Sequence, residues 1–176
     1  MKTNLAKILF GVKIALVALS VFLLGFLIVK KLVIGSVLNY DVDLSEQQSF
    51  VEGPFPVERT ATVDCGQDKC KAVVFEPVYF DVYAPRQFSK AEVTVKYQLP
   101  PKLSASFGFK LKTGDYAFSL MPFNDAKGEW SEQTFQFDLK DALYKDNKLQ
   151  FIVSGPGINA SHEKILLSDL QIKLSK

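Results

Sequence analysis

The chain is poor in the residues that most often carry chemistry. Its 176 residues include one histidine, two cysteines, two methionines and one tryptophan. A structural zinc site draws on four histidine or cysteine ligands, and His162 stands far from Cys65 and Cys70. The cysteine spacing also differs from the C-x-x-C of redox pairs. His162 has Ser161 and Asp169 near it in sequence, yet no strained nucleophile turn accompanies them, so they read as polar loop residues. Glu76 and Asp81 are acids in an apolar stretch. Their spacing puts them on opposite faces of a continuous strand, which argues against a glycosidase pair. Asp41 and Asp43 share a face and read as solvated acids near a stalk, with a share in a calcium site as the alternative. The expectation is a protein with no catalytic residues, no metal and no cofactor.

Acid is missing from the start of the chain. Lys2, Lys7, Lys13, Lys30 and Lys31 are all the charged residues before Asn39. Taking these five from 21 basic residues leaves 16 against 19 acids, so the remainder carries about −3. A clustered basic surface of the kind that neutralises phosphates is not evident there, and a nucleic-acid partner is not expected.

The basic head has another use. Every residue from Ile14 to Val29 is apolar or small, and Ile8 to Phe10 extend the run backward past Lys13. A helix over residues 8–29 would be about 33 Å long, against a hydrocarbon core of about 30 Å, so membrane lipid is the expected partner of this segment. Lys13 can lay its aliphatic stem along the helix and raise its ammonium to the headgroups. The run exceeds the ~7–15-residue core of a signal peptide, and no small-x-small cleavage site follows before Lys30. Lys2, Lys7 and Lys13 outnumber Lys30 and Lys31, which places the amino terminus inside. Residues 1–38 therefore read as a cytoplasmic stub, a transmembrane helix and a stalk. Residues 39–176 read as an extracytoplasmic domain of a single-pass cell-membrane protein.

Beyond Asn39 a long 3.6-residue apolar period is lacking, and alternation with period two replaces it. In PVYFDVY, Tyr79, Asp81 and Tyr83 share one face, and Val78, Phe80 and Val82 the other. AEVTVKYQ points Ala91, Val93, Val95 and Tyr97 one way, with Glu92, Thr94, Lys96 and Gln98 opposite. Phe107, Phe109 and Leu111 lead to a Thr113-Gly114-Asp115 turn from which Tyr116, Phe118 and Leu120 return. Further strands follow at Phe135, Phe137 and Leu139, at Leu149, Phe151 and Val153, and at Leu170, Ile172 and Leu174. Turn chemistry at Pro85-Arg86, Pro100-Pro101, Asn124-Asp125 and Gly155-Pro156-Gly157 separates them. Leu139 to Lys145 is the one expected helical turn, with Asp138 or Asp141 as its cap. With 15 Phe and 6 Tyr the domain can bury a sizeable core unaided. The fold class is all-β, an antiparallel jelly-roll-like sandwich preceded by one transmembrane helix.

Cys65 and Cys70 enclose Gly66-Gln67-Asp68-Lys69, with β-prone flanks on both sides. That pattern predicts a hairpin with the cysteines facing across its base, joined as a disulfide in an oxidising compartment. Two free thiols are the alternative.

The stretches WSEQTFQFDL from Trp130, NKLQFIVSGPG from Asn147 and ILLSDLQIKL from Ile165 resemble the closing half of galactose-binding-like jelly-roll domains, the architecture of many carbohydrate-binding modules. The resemblance covers residues 130–176 best. It implies a sandwich whose loops bind glycan or protein, and it carries no ligand across by itself. Candidate ligand contacts are Tyr83, Arg86, Tyr116, Phe123, Asn124 and Trp130, aromatic and polar residues at or beside turns; core packing is the alternative for the aromatics. Asn159-Ala160-Ser161 matches the N-glycosylation acceptor pattern in a Gly/Pro loop.

The expected function is a non-catalytic, membrane-anchored extracytoplasmic binding module for glycan or protein. The alternative is a structural or assembly subunit of a membrane complex, whose helix offers Gly11, Ala15, Ala18, Ser20 and Gly25 to a membrane-protein partner.

Overall fold

A computed structural model describes residues 2–33, 36–46, 48–66, 68–125 and 128–176, with the side chains of the first helix described over residues 12–28. The chain divides into two compact units, Met1–Val37 and Leu38–Lys176.

The first unit is helix α1, Lys2–Val33. Its described side chains are apolar around the whole circumference apart from Lys13 and Ser20, and all are exposed. Ser20 returns its hydroxyl to the Leu16 carbonyl at 2.8 Å, which satisfies its polar atom within the helix. The expected span over residues 8–29 reaches beyond this stretch at both ends. The side chains of its residues 8–11 and of Val29, like those of Lys2, Lys7, Lys30 and Lys31, lie outside those described. Among the described residues no helix is long and apolar enough to cross a membrane.

The second unit is a sandwich of two sheets, entered through β1 (Val37–Asp43). The remaining strands are β2 (Val51–Phe55), β3 (Thr60–Cys65), β4 (Asp68–Val73), β5 (Val78–Tyr83), β6 (Lys90–Gln98), β7 (Ser106–Lys110), β8 (Phe118–Pro122), β9 (Trp130–Asp138), β10 (Tyr144–Lys145), β11 (Lys148–Ser154) and β12 (Ile165–Ser175). A one-turn helix α2, Ile158–Ser161, precedes β12. The first sheet runs β3-β4-β12-β6-β9 with β1 also on β12. The second runs β2-β5-β11-β7-β8 with β10 also on β11.

Alternation in the sequence becomes the two sides of each sheet. Val93, Val95 and Tyr97 of β6 and Phe135 and Phe137 of β9 point inward from the first sheet. Phe80, Val82, Phe107, Phe109, Phe151 and Val153 meet them from the second. Phe107 stacks on Phe151 with ring centroids 5.5 Å apart and meets Phe135 at 5.2 Å across the sheets. Each such ring contributes about 1.5–3 kcal/mol by leaving water. Tyr97 is fully buried, and its hydroxyl donates to the Asn124 carbonyl at 3.0 Å, so the core carries no stranded donor there.

Three expectations change. Phe123 is 8 % exposed and packs 4.4 Å from Tyr97 and 5.1 Å from Phe135, so it belongs to the core rather than to a ligand surface. Leu139 to Lys145 makes no helix. Asp138 Oδ1 accepts from Lys140 N at 3.0 Å and Ala142 N donates to Leu139 O, closing one turn, after which Tyr144 pairs with Leu149 in β10 and β11. Cys65 and Cys70 form the disulfide, but diagonally. Cys65 sits opposite Asp68 and Cys70 opposite Val63 in the β3–β4 ladder, and Gly66 follows Cys65 at φ 87°.

Candidate functional site: the outer face of the second sheet

The two sheets differ on their outward sides. On the first sheet that side is polar: Thr94 and Thr134 bond at 2.8 Å, and Lys96 pairs with Asp169 at 3.6 Å. On the second sheet aromatic and polar residues lie in ordered rows.

Strand register sets the rows. Tyr79 of β5 faces Ile152 of β11, Ile152 faces Gly108 of β7, and Gly108 faces Leu120 of β8. Phe55 of β2 adds to this row beside Tyr79. The next row is Glu52, Asp81 and Gln150 on successive strands, with Lys110 of β7 and, opposite it on β8, Phe118. A third row holds Tyr83 and Lys148, with Phe50 joined to the Tyr83 amide through its carbonyl at 2.8 Å.

The first row is an apolar belt. Phe55 and Tyr79 ring centroids lie 5.8 Å apart, and Tyr79 and Phe118 lie 6.1 Å apart. Strands β11 and β7 separate β5 from β8 by about 14 Å at the usual strand spacing. The Tyr79 and Phe118 rings therefore lean toward one another over the sheet. Ile152 lies beneath them, facing outward but only 3 % exposed. Gly108 makes the space. A Cβ there would stand 1.9 Å from the Ser119 carbonyl oxygen and 2.9 Å from the Leu120 side chain.

Phe55 reaches this face through a bulge. Glu52 pairs with Asp81 and Phe55 with Tyr79, so β2 spends one residue more than β5 between the two pairs. Strict alternation would turn Phe55 inward, and the extra residue turns it out. Gly53 permits this at φ 128°, with the Tyr79 carbonyl oxygen 2.6 Å from where a Cβ would sit.

The second row supplies hydrogen-bonding groups. Gln150 Nε2 donates to Asp81 Oδ1 at 3.0 Å, and Lys148 Nζ donates to Glu52 Oε1 at 2.7 Å. The hydrogen bond to Glu52 raises the Lys148 ammonium above the ordinary lysine value. Asp81, Lys110, Lys148 and Gln150 also line a groove of about 320 Å³ shared with Lys145 and Asp146. At the apolar end, burial raises the Tyr79 hydroxyl above its ordinary value; the Arg59 cation opposes the rise and Tyr116 adds to it. Arg59 is held by its own Nη1 bond to the Pro77 carbonyl at 2.8 Å.

Of the expected ligand contacts, Tyr83 lies on this face, and Tyr116 stands 90 % exposed in the β7–β8 loop, near enough to Tyr79 to add to the rise of its hydroxyl. The others lie elsewhere. Arg86 follows β5, with its guanidinium 5.4 Å from the Phe88 ring and Nη2 buried without a hydrogen-bond partner among the described residues. Asn124 donates its amide to Gln133 Oε1 at 2.7 Å. Trp130 lies on the outward side of the first sheet, opposite Gln98 and 6.0 Å from the Lys96 ammonium. Asn159 is exposed in α2, with its Oδ1 accepting from the Glu76 amide at 3.0 Å. Among the described residues no group of three His, Cys, Asp or Glu could hold a metal ion.

Phe55, Tyr79, Phe118 and Ile152 are site residues that sequence reasoning leaves out. The one signal for them is Asp81: an acid between Tyr79 and Tyr83 marks that side of β5 as the outward one.

What such a face can do follows from its chemistry. Aromatic rings bind the C–H faces of sugar rings, and an adjacent row of carboxylate, amide and ammonium groups meets their hydroxyls.

No family model matches the chain, and no curated protein matches it either. Solved structures do. The chain is similar to the xylan-binding module CBM15, with a TM-score of 0.51 and 12 % identity over 79 % of this chain and 97 % of that one. It is also similar to the CBM22-1 xylan-binding domain of Paenibacillus barcinonensis Xyn10C, with a TM-score of 0.50 and 11 % identity over 81 % and 96 %. At such identity the likeness is one of fold: the sandwich has the architecture of carbohydrate-binding modules.

Proposed function

We propose that this protein is a non-catalytic glycan-binding module that docks its ligand on the outer face of the second sheet. The observation that carries the reading is the belt of Phe55, Tyr79 and Phe118 over Ile152, running beside the polar row of Glu52, Asp81, Gln150 and Lys110. The three rings cover Ile152 yet stay partly accessible to solvent, and an apolar belt left on the outer side of a sheet is the kind of surface that meets a ligand. The ligand class follows from the pairing of aromatic platforms with neutral and charged hydrogen-bonding groups, and the similar xylan-binding modules make xylan the first polysaccharide to try.

The reading extends to location. The disulfide at Cys65 and Cys70 supports an oxidising compartment, hence an extracytoplasmic sandwich. Helix α1, whose described side chains are apolar apart from Lys13 and Ser20, supports anchoring in lipid through residues 8–29 with the amino terminus inside. Impermeant-thiol labelling of reduced cells, which would reach Cys65 and Cys70 only from outside, tests the orientation.

Binding is tested by affinity electrophoresis of the full chain in mild detergent through gels containing xylan, β-glucan, mannan or pectin. One polysaccharide retards the protein, and Tyr79→Ala and Phe118→Ala each weaken retardation by about tenfold while the circular dichroism spectrum is kept. Equal mobility in every gel overturns the reading.

The same all-round exposure of α1 favours a second reading, a subunit that packs its helix against a membrane-protein partner. Crosslinking that gives a stoichiometric complex insensitive to Tyr79→Ala and Phe118→Ala selects it.

A further inference from the structure

The outer face of the second sheet has a second aromatic group, at the far end of β5 from the first. The Phe50 ring lies 6.2 Å from Tyr40 and 6.1 Å from Tyr83. Phe50 is 58 % exposed and Tyr83 39 %. The group is held rather than loose: the Tyr40 hydroxyl donates to the Tyr83 carbonyl at 2.7 Å, and the Phe50 carbonyl accepts from the Tyr83 amide. Tyr40 rises from β1 of the other sheet, so two sheets and the β1–β2 connection build one platform. Its burial there raises the Tyr40 hydroxyl above the ordinary value, with Tyr83 adding to the rise.

Tyr79 and Tyr83 are four residues apart on one strand and point to the same side. At about 3.3 Å per residue their positions are about 13 Å apart. That exceeds the length of two pyranose rings joined through one glycosidic oxygen. Between the two platforms lie Asp81 and Gln150, bonded to each other, and the Glu52–Lys148 pair. The face is thus ordered along the strands as rings, hydrogen-bonding groups, rings.

Resting on the glycan-binding reading above, we infer that the ligand is a stretch of linear polysaccharide longer than two sugars, lying parallel to β5 and gripped at both ends. A disaccharide fills one platform and leaves the other empty. A longer chain fills both, and the second contact is made at the cost of ordering only the sugars between them. The polar row then meets the hydroxyls of the middle sugars, with Asp81 and Gln150 already oriented by their mutual hydrogen bond.

The test is isothermal titration of the full chain in mild detergent with xylo-oligosaccharides of two to six residues and with xylan. Affinity is expected to rise at least about tenfold between the disaccharide and the tetrasaccharide or pentasaccharide and then to level off. Tyr83→Ala and, separately, Phe50→Ala should bring the hexasaccharide down toward the affinity of the disaccharide, a loss of about tenfold against at most about twofold for the disaccharide itself. A face with a single platform would give equal affinity along the ladder, or a ladder that both variants leave intact, and either result overturns the inference while the glycan-binding reading stands. Absence of binding to xylan and to every polysaccharide of the electrophoresis panel overturns both. Phe50 and Tyr83 are partly exposed, so both variants are expected to fold, which circular dichroism checks.

Discussion

Tyr79 and Phe118 bring their rings to 6.1 Å from strands that are not neighbours. Two strands run between them, and the intervening positions carry Ile152 and Gly108, neither of which holds a ring between the two. Much of what the second sheet offers to solvent depends on that geometry, and it can be disturbed from below.

Gly108→Ala disturbs it directly. The new methyl would stand 1.9 Å from the Ser119 carbonyl oxygen, so β8 must shift away from β7. The expected loss is about 1–3 kcal/mol, read as a lower urea midpoint at unchanged slope. Weaker glycan binding should accompany it, because β8 carries Phe118. An unchanged midpoint would show that β7 and β8 are not packed this closely.

Gly53→Ala acts on the bulge. Its backbone has φ 128°, and a Cβ would come within 2.6 Å of the Tyr79 carbonyl oxygen. The variant is expected to lose about 1–3 kcal/mol and to pull Phe55 off the Tyr79 ring. Thermal melting reads the first effect and affinity electrophoresis the second.

Removing the disulfide should separate stability from binding. Cys65 and Cys70 close a short loop in the β3–β4 hairpin at the edge of the first sheet, remote in sheet order from the aromatic rows. Replacing both with serine is expected to cost roughly 2 kcal/mol and to leave polysaccharide affinity unchanged. A parallel loss of affinity in folded protein would show that the two sheets are coupled.

Alkaline pH should weaken the sandwich through Tyr97. Burial raises its hydroxyl above the ordinary tyrosine value of 10.0, and the bond to Asn124 only partly offsets this. In the window between that value and the raised one the unfolded chain ionises and the folded one does not. Stability is therefore complete below pH 10 and falls as pH rises through that window. Denaturant melts of Tyr97→Phe should show a shallower alkaline decline than wild type; an equal slope would assign the decline to Tyr144, Tyr79 or Tyr40, whose hydroxyls are raised in the same direction.

Most of the strands were legible in the sequence because one of their sides is plainly polar. AEVTVKYQ alternates without ambiguity, and Val93, Val95 and Tyr97 are all fully buried. Leu170, Ile172 and Leu174 closed the pattern equally clearly. The site was harder to read for the opposite reason. Phe118 and Leu120 are as hydrophobic as Phe107 and Phe109, so composition does not say which pair faces out; the register, with Gly108 opposite Leu120, does. Phe123, beside a turn, invited a surface role, and the space between Tyr97 and Phe135 claimed it for the core.

By itself, the sequence determined the all-β alternation, the cysteine hairpin and the apolar character of the first helix, because each rests on spacing along the chain. Only the tertiary structure decided which aromatic residues meet. Phe55 turned outward through one extra residue at Gly53 and Pro54, and Trp130 went to the other sheet. Period-two alternation assigns a side within one strand, but bulges and strand order assign neighbours, and those depend on contacts far apart in sequence.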